Sequence, residues 1–97
     1  MTENVRICEL NWMEYERRLR EEAPVVMLPV GSLEQHGPHL PKQPDSLIPT
    51  AICEGAAARV GGLVAPTISY GYKSQPKSGG GNHFPGTTSL DGQTLIF

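Results

Sequence analysis

The run Val25-Val26-Met27-Leu28-Pro29-Val30 constrains the fold more than any other stretch of the chain. It is apolar without alternation, and a polar loop follows at once. A strand of that kind is covered on both faces, as in a parallel sheet. Pro29 has no amide proton, so it marks the strand's end or an irregularity in it. Parallel neighbours need a crossover connection, and the sequence supplies one. Residues 46–60 read as a helix with Leu47, Ile48, Ala51, Ile52 and Val60 towards one side, ended by Gly61 and Gly62. Leu63-Val64-Ala65 then opens a second short strand that runs on towards Ile68. Strand, helix, strand is a βαβ unit, and the fold class is α/β.

Ahead of this unit, residues 11–22 read as an amphipathic helix capped by Asn11, with Glu14 at a capping-box spacing. Trp12, Tyr15 and Leu19 fall on one face. Glu14, Arg17, Arg18 and Glu21 form a solvated charged face opposite. Pro24 stops the helix. After the second strand comes a long loop, Tyr70 to Thr88, and Ser89-Leu90-Asp91 starts a third helix. Two strands are too few for a stable sheet, and a helix of one turn buries almost nothing. Residues 1–97 therefore read as the N-terminal part of a larger α/β domain, with no internal repeat and no linker.

Composition excludes several functions. A net charge of −2 does not suit a nucleic-acid-binding surface, which needs clustered Lys and Arg. No apolar run approaches the roughly 20 residues of a membrane span, and MTENVRICEL lacks the features of a signal peptide. Cys8 and Cys53 form no CxxC pair; they read as free, buried thiols in a reducing cytoplasm.

Ligands of open α/β sheets bind beyond the carboxyl ends of the strands. Two loops leave such ends and are expected side by side: Gly31–Asp45 and Tyr70–Thr88. The first holds Glu34, His36, His39 and Asp45. Two readings fit it. In one, Glu34 and His36 alternate along extended backbone and reach two different metal ions, which Asp45 bridges; this donor set suits zinc or manganese. In the other, Asp45 caps the helix, Glu34 is a surface carboxylate and His36 a hydrogen-bonded loop residue. His39 reads as structural in both. The second loop contains Lys77-Ser78-Gly79-Gly80-Gly81-Asn82-His83-Phe84. It is not a phosphate loop, because Lys77 and Ser78 precede the glycines and no helix follows. Three glycines allow close backbone approach to a ligand, with Ser78, Asn82 and His83 as hydrogen-bonding groups. Neither Ser78 nor Cys53 has the partners of a nucleophilic triad.

PVGSLEQHGPHLP followed by Asp45, and the later YGYKSQPKSGGGNHFPGTTSLDG, resemble the creatininase (creatinine amidohydrolase) family in sequence, order and separation. The resemblance runs from about Val25 to Phe97, and the second loop is similar to that of the creatinine-hydrolysing members. It implies the N-terminal part of a three-layer α/β/α fold around a mainly parallel sheet. It also implies a binuclear hydrolase of C–N bonds that uses zinc or manganese, opens the cyclic amide of creatinine to give creatine, and assembles as a hexamer. Carried over by position, Glu34 ligates one metal, His36 the other, and Asp45 bridges them. Ser78 lies in the substrate pocket. The family's further ligands, a His and a Glu, lie beyond Phe97, and neither His39 nor His83 matches them. Lys42-Gln43-Pro44 departs from the family's more apolar residues there, which implies a local change only. The expectation is a cytoplasmic, homo-oligomeric metal-dependent amidohydrolase with a small-molecule substrate and neither nucleic acid nor membrane as partner. The competing expectations are a non-catalytic piece without the later ligands, and another amide or formamide hydrolase of the same family.

Overall fold

A computed structural model describes residues 4–72 and 86–96. After a 3-10 turn at Ile7–Glu9 come helix α1 (Trp12–Glu22), strand β1 (Val26–Met27), helix α2 (Pro44–Val60), strand β2 (Leu63–Val64) and helix α3 (Gly92–Ile96). The strands are parallel, with Val26 opposite Leu63 and Met27 opposite Val64. With α2 between them, they form the expected βαβ unit. The described residues gather into two compact units, one of residues 4–29 and 50–67, the other of residues 30–49, 68–72 and 86–96. Each changeover falls at or next to a proline: Pro29, Pro49 and Pro66.

In the first unit the helix ends follow from local chemistry. Asn11 caps α1, its side-chain oxygen accepting the Glu14 amide at 2.9 Å. The helix closes on Ala23, which takes the left-handed conformation just before Pro24. At the end of α2, Gly61 has φ +72 and the Gly62 amide donates back to the Ala57 carbonyl at 2.9 Å, a Schellman closure. A side chain on Gly62 would stand 2.9 Å from the Val25 carbonyl, so its absence lets the chain pass closely. The start of the chain runs parallel to β2 on its other side: Arg6 bridges to Val64, and the Val64 amide donates to Val5.

The core of this unit is small. Ala57, Leu63, Val64 and Pro29 are buried, and so, against expectation, is Arg18, at 2% exposure. Its guanidinium donates to the Asn4 carbonyl at 2.5 Å and pairs with Glu22 at 3.4 Å. The charged face of α1 is therefore not uniformly solvated. Trp12, expected inside, is 73% exposed. The periodicity of α1 therefore does not identify its buried face: Leu19 is also exposed, and Arg18, from the face expected in solvent, turns inward to donate to a backbone carbonyl. The expected two-sided cover of the first strand is also corrected. Val25, Val26 and Leu28 are exposed, as are Leu47, Ile48, Ile52 and Val60 on α2, where Ala57 is the buried residue. Cys8 and Cys53 are free, as expected, but Cys8 is exposed and Cys53 only partly covered.

In the second unit, Val30 bridges Ile68 in parallel, and the Gly31 amide donates to the Ile68 carbonyl at 2.8 Å. The roots of the two long loops are thus joined. Helix α2 begins at Pro44, two residues before the expected Ser46. Proline is pre-organised for a first helical turn and has no amide to leave unpaired there. Asp45 consequently sits in the first turn of α2 and not at the end of a loop. Asp91 caps α3, accepting the Thr94 amide at 2.7 Å. No described helix is long and apolar enough to cross a membrane.

Two outcomes follow. Arg18→Ala leaves a void and strips the Asn4 carbonyl of its donor, so it should lower the unfolding free energy by about 2–3 kcal/mol. Arg20→Ala, which removes an exposed pair with Glu16, should cost less than about 0.5 kcal/mol; urea unfolding followed by circular dichroism compares them. The second concerns Glu9, whose carboxyl is held below the usual glutamate range by the Asn4 amide and then by Arg6. A depressed folded value means that its small contribution is present at neutral pH and is lost as pH falls through that value. An NMR titration should place the Glu9 midpoint below the usual glutamate range, and Asn4→Ala should raise it.

Candidate metal centre

All the described candidate residues lie in the second unit, where the chain from Leu33 to Gly37 is pinned from several directions. Leu33 bridges Thr88 in antiparallel fashion, and the Glu34 amide donates to the Lys42 carbonyl at 3.2 Å. The Gln35 amide donates to the Thr87 hydroxyl at 3.0 Å, and Thr87 is itself buried. The Gln35 side-chain oxygen accepts the Gly37 amide at 2.9 Å, where Gly37 turns with φ +78. The peptide that carries Glu34 and His36 is therefore held on both sides before any ligand is considered.

Gly31 brings this peptide to the first turn of α2. A side chain at Gly31 would collide with the Asp45 carbonyl oxygen and stand 2.7 Å from the Ser46 Cα. Pro49 has no amide to give to that Asp45 carbonyl, four residues back in the helix. Two hydroxyls then cross-link the approach. Ser46 Oγ donates to the Ser32 carbonyl at 2.7 Å, and Ser32 Oγ donates to Asp45 Oδ2 at 3.0 Å.

The geometry of His36 is the informative feature. Its Nδ1 lies 3.0 Å from the Glu34 carbonyl oxygen. A carbonyl only accepts, so Nδ1 carries the proton, and whenever the ring is neutral Nε2 carries a lone pair. That Nε2 faces Asp45 Oδ2 at 3.6 Å. Two electron-rich atoms placed so call for a cation between them or a proton on Nε2. The separation is long for a hydrogen bond. It is close to the roughly 3.3–3.5 Å that two ligands of one tetrahedral zinc span, given usual Zn–N and Zn–O lengths. The donor set and its spacing therefore fit a divalent metal ion.

The structure brings His36 and Asp45 together. It does not gather Glu34 into a cluster with them: among the described residues no three His, Cys, Asp or Glu side chains converge on one point. His39 is exposed in a turn. Ser78, Asn82 and His83, with the three glycines, lie outside the described residues. A cleft of about 330 Å³ lined by Arg6, Cys8, Thr50 and Glu54 belongs to the first unit and contains none of the candidates. Sequence reasoning missed Ser32, Ser46 and Thr87. The first two could have been suspected, as hydroxyls within two residues of candidate acids. Thr87 acts 52 residues away from its partner, and nothing local signals it.

Residues 8–97 match the family described as Creatininase: Creatinine amidohydrolase. The chain is 60% identical to the creatinine amidohydrolase of Pseudomonas putida over 95 residues, 98% of this chain and 36% of that protein. It is 42% identical over 80 residues to a mycofactocin precursor peptide peptidase of Mycolicibacterium smegmatis, covering 76% of this chain and 30% of the relative. The chain thus spans about a third of the length of the curated relatives it matches. The crystal structure of a creatinine amidohydrolase superposes with a TM-score of 0.88 at 60% identity, over 97% of this chain and 36% of that one. Similar solved creatininases include a Zn-Zn form and a Mn form, each with a TM-score of 0.87 at 60% identity, and one complexed with creatine, with 0.86 at 61%. Their coverage is 96–97% of this chain and 36% of theirs. The fold is therefore an α/β portion of the creatininase type.

Thr87→Val tests the pinning of this peptide. The Gln35 amide then loses its acceptor, at a cost of about 1–3 kcal/mol. Hydrogen exchange at Gln35 should accelerate, and Thr87→Ser should keep it slow.

Proposed function

This chain belongs to the creatininase family, and we propose on that premise that its protein is a metal-dependent amidohydrolase that opens the cyclic amide of creatinine. The observation that carries the proposal is the His36–Asp45 pair, in which an Nε2 lone pair faces a carboxylate oxygen at a metal-like separation. Its nearest support is the 60% identity to a creatinine amidohydrolase. In the reaction, water adds across the ring C–N bond; the carbonyl carbon becomes a carboxylate and the ring nitrogen takes the proton.

Two divalent ions, zinc or manganese, would supply Lewis acidity towards the amide carbonyl and lower the pKa of water. On this reading Glu34 would hold one ion, His36 the other, and Asp45 would be shared between them. Three donors do not fill two four-coordinate shells, so the centre takes further donors from outside these three. This chain's own residues aim the ligands: the Glu34 carbonyl fixes the His36 ring, and the Gly31 approach places Asp45 opposite it. Ser78 binds the substrate. Residues 1–97 form part of one creatininase-like domain. The protein works as a cytoplasmic homo-oligomer with a small-molecule substrate. Free cysteines suit a reducing compartment, and exposed side chains such as Trp12 and Ile52 offer apolar surface for assembly.

The test is creatinine turnover by the purified protein, with metal content measured in parallel. Asp45→Asn should lower kcat/KM at least about 100-fold, which is about 2.7 kcal/mol of transition-state stabilisation. Chelator treatment should abolish turnover, and zinc or manganese should restore it. Undiminished turnover after complete metal removal would sink the proposal. Preference for a formamide or a peptide amide over creatinine would reassign the substrate within the family.

A further inference from the structure

We propose that Ser32 is a positioning residue for this centre: its hydroxyl holds the Asp45 carboxylate in the orientation that metal binding uses. The inference rests on the metal reading above and names a residue outside the ligand set. Asp45 is half exposed, on the first turn of a helix, and its side-chain torsions have several staggered wells. Left to itself, such an exposed side chain would also sample orientations that do not face His36. Ser32 Oγ offsets this by donating to Oδ2 at 3.0 Å, on the very oxygen that faces Nε2 at 3.6 Å. That oxygen keeps a second lone pair for a cation.

The donor is itself anchored. Ser46 Oγ grips the Ser32 carbonyl at 2.7 Å, and the preceding residue, Gly31, is tied through its amide to Ile68 at 2.8 Å. Ser32 and Ser46 thus make a reciprocal clasp. One hydroxyl reaches from the loop to the helix side chain, and the other from the helix back to the loop backbone. A ligand held by such a partner before the ion arrives needs less ordering when it binds.

The experiment measures zinc affinity of the protein by competition with a chromophoric chelator. It uses the unmodified sequence, Ser32→Ala, Ser32→Thr and Asp45→Ala. Ser32→Ala should weaken zinc binding roughly 10-fold or more. Ser32→Thr, which restores the hydroxyl, should return it close to the original. The metal-free thermal midpoint of Ser32→Ala should stay within a few degrees of the original, and its cobalt(II) absorption bands should shift. Equal zinc affinity in Ser32→Ala and the unmodified protein overturns the proposal. So does an equal loss in Ser32→Thr accompanied by a matching fall in the metal-free midpoint, since that is a packing effect. If the unmodified protein binds no zinc, or Asp45→Ala binds it undiminished, the metal reading itself has failed, and this inference fails with it.

Discussion

A missing side chain governs the candidate centre. Gly31 passes so close to Asp45 and Ser46 that even a methyl group would collide with the helix backbone. That proximity puts the Ser32 hydroxyl within reach of the Asp45 carboxylate and the Ser46 hydroxyl within reach of the Ser32 carbonyl. It also sets the His36 ring, five residues on, opposite Asp45. Backbone approach of this kind is a use of glycine distinct from its freedom at positive φ. Gly31 does not lie in the left-handed region, whereas Gly37 and Gly61 do.

The features that were legible in the sequence are those decided within three or four residues. Asn11 and Asp91 each accept an amide three residues on, and Gly61 takes the positive φ that lets the Gly62 amide close on the Ala57 carbonyl; their residue types announce it. The βαβ order was legible for a related reason, because apolar runs and a helical pattern alternate. The burial of Arg18 was not. Its partner, the Asn4 carbonyl, lies 14 residues away, and no local pattern marks a carbonyl that will need a donor. The helix-long apolar pattern of α2 misled for another reason. Its large side chains are exposed, while Ala57 packs inside, because the close passage at Gly62 leaves room only for a small residue.

The candidate site divides the same way. Glu34, His36 and Asp45 could be picked out as donors by residue type and spacing. What aims two of them could not. The proton on His36 Nδ1 is fixed by a backbone carbonyl, and the Asp45 carboxylate by a serine that the ligand pattern does not require. Family resemblance proposes which residues carry the chemistry. The hydrogen bonds show how the chain orders them.

The prolines at the changeovers between the compact units bear on local stability. Pro29 and Pro49 carry no amide proton, and Pro66 stands beside the third crossing. Helix α2 nevertheless runs unbroken through Pro49, whose local cost is the missing amide donor to the Asp45 carbonyl. The first turn of α2 has lost a helical bond at that carbonyl and so depends the more on the Ser32 and Ser46 clasp for its local stability.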